Sequence, residues 1–124
     1  MPKASYIAAK GLVITPGAGL DIEKVNGTTS SDVATINGTC GVITIGDTQT
    51  ITPGDIGNEQ TITNNRVKAN SVIILKVLVD AAATGLPCLT TLEIADSSFK
   101  FVIGNAHASG DVTAQDLKLS YLIV

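Results

Sequence analysis

"SSFKFVIGNAHASGDVTAQDLKLSYLIV", residues Ser97–Val124, decides the fold class. In its first half Phe99, Phe101 and Ile103 alternate with Ser98, Lys100 and Val102. In its second half Leu117, Leu119, Tyr121 and Ile123 alternate with Lys118, Ser120 and Leu122. A period of two sends one set of each run to one side of a sheet and the other set to the opposite side. Between them lies the short polar stretch "NAHASGD", which holds the single histidine, His107.

The same rhythm extends outward. "SVIILKVLVD" sets Ile73, Leu75, Val77 and Val79 against Val72, Ile74, Lys76, Leu78 and Asp80. "CGVITIG" adds Ile43 and Ile45, "TQTIT" adds Ile51, "EQTIT" adds Ile62, and "CLTTLEIA" adds Leu92 and Ile94. Val, Ile and Thr dominate these runs, and Gly, Asn, Asp and Pro punctuate them at short intervals, the pattern of many short strands. No stretch keeps a helical period for ten residues or so. Asn26-Gly27 and Asn37-Gly38 are expected to form two-residue hairpin turns, because Asn and Gly tolerate positive φ. Each pair also completes an Asn-Gly-Thr glycosylation sequon, for which the turn reading is preferred. "ITPG" occurs at Ile14–Gly17 and again at Ile51–Gly54, with Pro and Gly placed as in a type II turn.

Composition narrows the function. The 124 residues make one domain, long enough to bury roughly two thirds of the surface of the unfolded chain. Apolar residues make up 44% and charged residues only 15%, so part of the surface is expected to be covered in an assembly. The net charge is −3, and the eight basic residues are scattered singly, which argues against nucleic acid as a partner. The longest apolar run, Val72–Val79, is interrupted by Lys76 and falls short of a membrane span. The first residues lack the long apolar segment of a secretory signal, so Cys40 and Cys88 are expected as free thiols.

The candidate chemistry is thin. His107, Ser109 and Asp111 suggest a triad, but three residues within five positions of one loop do not meet triad geometry, and a solvated turn histidine is expected. Asp55, Asn58 and Glu59 could offer oxygen ligands to a cation, yet their spacing is not that of an EF-hand, and a polar turn is the preferred reading. One histidine and two cysteines are too few for a zinc site. The expectation is therefore a protein with no catalytic, cofactor-binding or metal-binding residues.

The expected fold is an all-β antiparallel β-sandwich, jelly-roll or immunoglobulin-like, formed by residues 33–124. Residues 1–32 are expected to form an N-terminal arm or edge segment. Several strands are apolar on both sides: Leu122 and Val124 back the Leu119, Tyr121, Ile123 face, and Val72, Ile74 and Leu78 back the Ile73 face. Two-sided strands imply cover on both faces. The last strand is accordingly expected to be buried in an assembly. Tyr6, Ile7, Leu12 and Val13 of the arm, with Leu122 and Val124, are the expected interface residues.

The composite of "GTCGVITIG", "QTITN", "NSVIILKVLVD", "SSFKFVIGNA" and "LKLSYLIV" resembles a group of small all-β virion proteins of tailed bacteriophages. The resemblance covers about three quarters of the chain and leaves out residues 1–32. It implies a structural role similar to that of capsid decoration (cement) proteins or of tail-fibre modules. A homo-oligomer, often a trimer, would clamp the major capsid protein on the outside of the head, after synthesis in the host cytoplasm. A receptor-binding tail module and a carbohydrate-binding sandwich are the alternatives, the latter disfavoured because the chain has no Trp and only two Tyr and two Phe.

Overall fold

A computed structural model describes residues 4–7, 11–14, 22–78, 84–113 and 117–124, the first two segments as backbone only. The strands are β1 (Ala4–Ile7), β2 (Gly11–Ile14), β3 (Gly27–Thr28), β4 (Val33–Thr35), β5 (Cys40–Thr44), β6 (Thr50–Ile51), β7 (Gln60–Thr63), β8 (Ile73–Leu78), β9 (Pro87–Ala95), β10 (Ser98–Asn105), β11 (Val112–Thr113) and β12 (Lys118–Ile123). No helix occurs among the described residues. Two four-stranded sheets, ordered β4-β7-β10-β9 and β3-β5-β12-β8, pack on each other. Edge β8 adjoins edge β9 on one side, and β3 adjoins β4 on the other. β11 pairs with β6 and β1 with β2 in two small sheets.

The alternation read in the sequence fills the space between the layers. Phe99 stands opposite Ile62 and Ile94, and Leu119 opposite Ile43 and Val77. Phe99 and Phe101 stack with ring centroids 6.4 Å apart. Ile43, Ile45, Ile73, Phe99, Phe101, Ile103, Leu119 and Tyr121 are buried, and Leu75, Val77 and Leu117 pack against them. Val102 departs from the expected pattern. The β9–β10 register shifts between Val102 and Ile103, and Val102 is buried rather than exposed beside Lys100.

Two further expectations need correction. The sheets are mixed rather than purely antiparallel, since β3 runs parallel to β5 and β4 parallel to β7. The Asn-Gly pairs do not close hairpins. Gly27 lies within β3, and Asn37-Gly38 lies where the chain crosses from β4 in one sheet to β5 in the other. The asparagines instead pin neighbouring backbone: Asn26 Oδ1 accepts from Val42 N, and Asn37 Oδ1 from Asn65 N. Within residues 1–32, β3 forms the edge of one sheet, and Lys24 bridges Cys40.

The tight reversal falls at Ser31-Asp32, with φ of 51° and 63° between the bridged residues Ser30 and Val33. Left-handed φ at both central residues is the conformation that Asn-Gly normally supplies. Here Asp47 stabilises it from outside: its two carboxylate oxygens accept from Ser31 N (2.9 Å) and Asp32 N (2.8 Å). Asp32 in turn accepts from Gln60 Nε2 at 2.7 Å, holding a buried amide at the rim of the core. The second "ITPG" turns as its sequence suggests. Gly54 has φ 79°, and Asp55 N donates to Thr52 O. The first "ITPG" lies outside the described residues.

Two polar side chains tie distant segments together. Buried Asn105 donates from Nδ2 to Ile51 O and Gly110 O, and its Oδ1 accepts from Leu86 N and His107 N. Tyr121 donates its hydroxyl to Val25 O at 2.7 Å. That contact is possible because the chain at Val25 passes directly over Gly41, where an added Cβ would collide with the Val25 carbonyl.

Candidate interaction surface

The outer face of the β3-β5-β12-β8 sheet carries the most unusual surface of the described residues. Its register sets Cys40, Leu122 and Ile74 in one row, Val42, Ser120 and Lys76 in the next, and Thr44, Lys118 and Leu78 in a third. Val72 and Val124 extend the apolar end, exchanging backbone hydrogen bonds of 2.9 and 2.8 Å. The exposures decide how to read it: Val72 is 60% exposed, Ile74 56%, Leu78 39% and Val124 75%. Single exposed apolar side chains are ordinary, but a contiguous group on a regular sheet marks a place where something docks. Leu122 lies half-buried between Cys40 and Ile74.

Among the described residues the side-chain charges on this face are of one sign. Lys76 stands in the middle row and Lys118 in the third, and Lys24 bridges Cys40 at the margin. None of these rows contains a carboxylate. Among the described residues the ion pair within 4.0 Å is Lys100–Glu59, which involves the other sheet. With the three lysines set apart, the remaining residues carry a net −6, against −3 for the whole chain.

The edge beside this face is also open. Among the described residues nothing hydrogen-bonds to the outward side of β8. The other sheet edges carry the usual protections against pairing. β3 and β4 are two and three residues long, and β9 contains Pro87, Glu93 and an irregular register with β10. β8 pairs with β12 over six residues without a shift, and its single protecting charge is Lys76.

Of the interface residues expected from sequence, Leu122 and Val124 lie on this face. Tyr6, Ile7, Leu12 and Val13 sit in the β1–β2 pair, with Tyr6 opposite Leu12, and their side chains lie outside the described residues. Sequence reasoning missed the lysine grouping. The signal was available, since Lys76 and Lys118 occupy outward positions of two alternating strands, but their adjacency depends on β8 pairing with β12.

Elsewhere the candidate groups are engaged with backbone or with one another. His107 Nδ1 accepts from Ser109 N (3.0 Å) and Gly110 N (2.7 Å). Both partners can only donate, so Nδ1 carries the lone pair, and it faces the Ser109 backbone amide. Asp55 caps Ile56 N, Asn58 exchanges hydrogen bonds with Gln49 and donates to Asp32, and Glu59 pairs with Lys100. These three side chains therefore do not converge. No group of three or more His, Cys, Asp or Glu side chains suited to a metal occurs among the described residues. Cys40 and Cys88 are free thiols in different sheets. Burial, and secondarily the nearby Cys40 sulfur, push the Tyr121 hydroxyl above the ordinary tyrosine pKa.

No protein-family model, curated protein or solved structure matches this chain.

Proposed function

We propose that this chain is a structural protein of a tailed-phage virion, a decoration protein that binds the outside of the capsid and stabilises the head. In this reading the sandwich is jelly-roll or immunoglobulin-like in class. It associates with itself, as a trimer, and its partner is the major capsid protein. The observation that carries the proposal is the outer face of the β3-β5-β12-β8 sheet, where Val72, Ile74 and Val124 are each more than half exposed. Burying three or four such side chains on a partner would contribute on the order of 5–10 kcal/mol before ordering costs. The sequence resemblance supplies the kind of partner. A protein that binds the assembled shell and not the loose subunits stabilises the shell by mass action.

The test uses heads lacking this protein, prepared from the phage that encodes it. The full chain should saturate them and raise their resistance to heat, with copies per virion in the hundreds rather than the few expected of a tail module. A chain lacking residues 1–14 should remain folded but assemble or decorate poorly. Failure of the full chain to bind heads would remove the proposal. Normal oligomerisation and decoration by the truncated chain would remove the arm from it.

A further inference from the structure

We propose that the Ile73–Leu78 edge is completed by an extended segment of a partner protein, added beside β8 as a fifth strand, whose outward side chains alternate apolar and carboxylate. The identity of that partner as the capsid shell rests on the function proposed above; the chemistry of the edge does not. Three observations lead to it. First, β8 offers an unbroken run of unpaired N–H and C=O groups on its outward side, among the described residues, with none of the devices that protect the other edges except Lys76. Of macromolecular partners, another strand matches both kinds of group in their alternating order. A bare phosphate can accept from N–H but cannot donate to C=O, and a lipid headgroup does not present donors and acceptors in the strand's spacing.

Second, the side chains that would flank such a strand are already in register. A strand added beside β8 places its own outward side chains about 4.5–5.5 Å from Ile74, Lys76 and Leu78. The matching order is apolar, acidic, apolar. Third, among the described residues the rows of this face hold lysines and no carboxylate side chain. That disfavours a second copy of β8 itself, which would bring Lys76 where a carboxylate is wanted.

The experiment follows the backbone amides of the full chain by NMR. The probe is a capped peptide, Thr-Val-Thr-Glu-Thr-Val-Thr, which sets Val, Glu and Val on one face, with Thr-Val-Thr-Lys-Thr-Val-Thr as control. The glutamate peptide should shift the amides of Ile73–Leu78 and slow hydrogen exchange at Ile73, Leu75 and Val77, whose N–H groups point away from β12. It should bind about ten-fold more tightly than the lysine peptide, as turning the one cross-strand pair with Lys76 from attraction to repulsion implies. Lys76→Glu should invert that preference, and raising the salt from 50 to 500 mM should reduce it. Several results would overturn the inference. They are no response to either peptide at millimolar concentration, an equal response to both, β8 shifts that follow the protein's own concentration, or displacement of the peptide by phosphatidylserine vesicles. A chain that takes the glutamate peptide but leaves heads bare would retain strand addition and lose the capsid. One that coats heads and ignores the peptide would do the reverse.

Discussion

Replacing Asn105 by alanine removes one side chain and four hydrogen bonds together. Asn105 is 3% exposed, and its amide links β10 to Ile51 of β6, to Leu86 ahead of β9, and to His107 and Gly110 in the following loop. The bond to Ile51 O is fully buried, and truncation leaves that carbonyl without a partner, at about 1–3 kcal/mol. The other three partners are partly accessible, so water can replace the amide there, and each costs about 0.5–1 kcal/mol. The expected loss is about 3–5 kcal/mol, equivalent to roughly 10–20 °C in Tm for a chain of this size. Urea unfolding followed by circular dichroism measures it, with an unchanged m-value confirming that the folded state alone is affected. Asn105→Asp discriminates further. An ionised carboxylate would face the carbonyls of Ile51 and Gly110, so its folded-state pKa should lie above the unfolded value of about 3.9. Its stability relative to the parent should then be worst at neutral pH and recover as pH falls toward that value. An Asn105→Ala variant within 1 kcal/mol of the parent would refute the reasoning.

Phe101→Ala should cost about 3–5 kcal/mol by urea unfolding, since the ring is 0% exposed and packed against Phe99. Burial raises the Tyr121 pKa above its unfolded value, so the contribution of its hydroxyl bond to Val25 is fully present below about pH 10 and is lost as pH rises through the folded pKa. Absorbance titration should show a tyrosine ionising late, together with loss of structure, and Tyr121→Phe should remove that alkaline step. His107→Ala should fold, lose about 1 kcal/mol or less by calorimetry, and bind heads as the parent does, because Nδ1 organises an exposed turn whose two N–H groups water can reach.

Strand positions and the inward face were legible because burial imposes alternation on the residues themselves, as at Phe99, Phe101, Leu119 and Tyr121. The Pro53-Gly54 turn was legible for a similar local reason, since one residue fixes φ and the next tolerates a positive value. What failed depended on partners distant in the chain. Ser31-Asp32 turns where Asn-Gly was expected to, because Asp47 grips two amides that carry no mark in the local sequence. The direction of β3 and β4 was invisible for the same reason, as two or three residues do not encode whether a neighbour runs parallel. The candidate surface was half legible. Outward Ile74 and Leu122 could be read from each strand separately, but their meeting in one row beside Lys76 required the β8–β12 register.

The position of β12 has a consequence for how the chain reaches its native state. β12 follows every other strand in sequence, yet it lies between β5 and β8 at the centre of its sheet. During synthesis, therefore, β5 and β8 have no hydrogen-bonding neighbour in common until Lys118–Ile123 leaves the ribosome. The other sheet has its four members, β4, β7, β9 and β10, much earlier. One half of the sandwich can take shape while the other waits with β5 paired only to β3, β8 unpaired and an unfilled seam between them. Such delayed long-range pairing slows folding and favours capture by neighbouring chains. Damage to the final strand should therefore lower the yield of folded protein out of proportion to its length, because it removes the piece that joins two halves of a sheet already made.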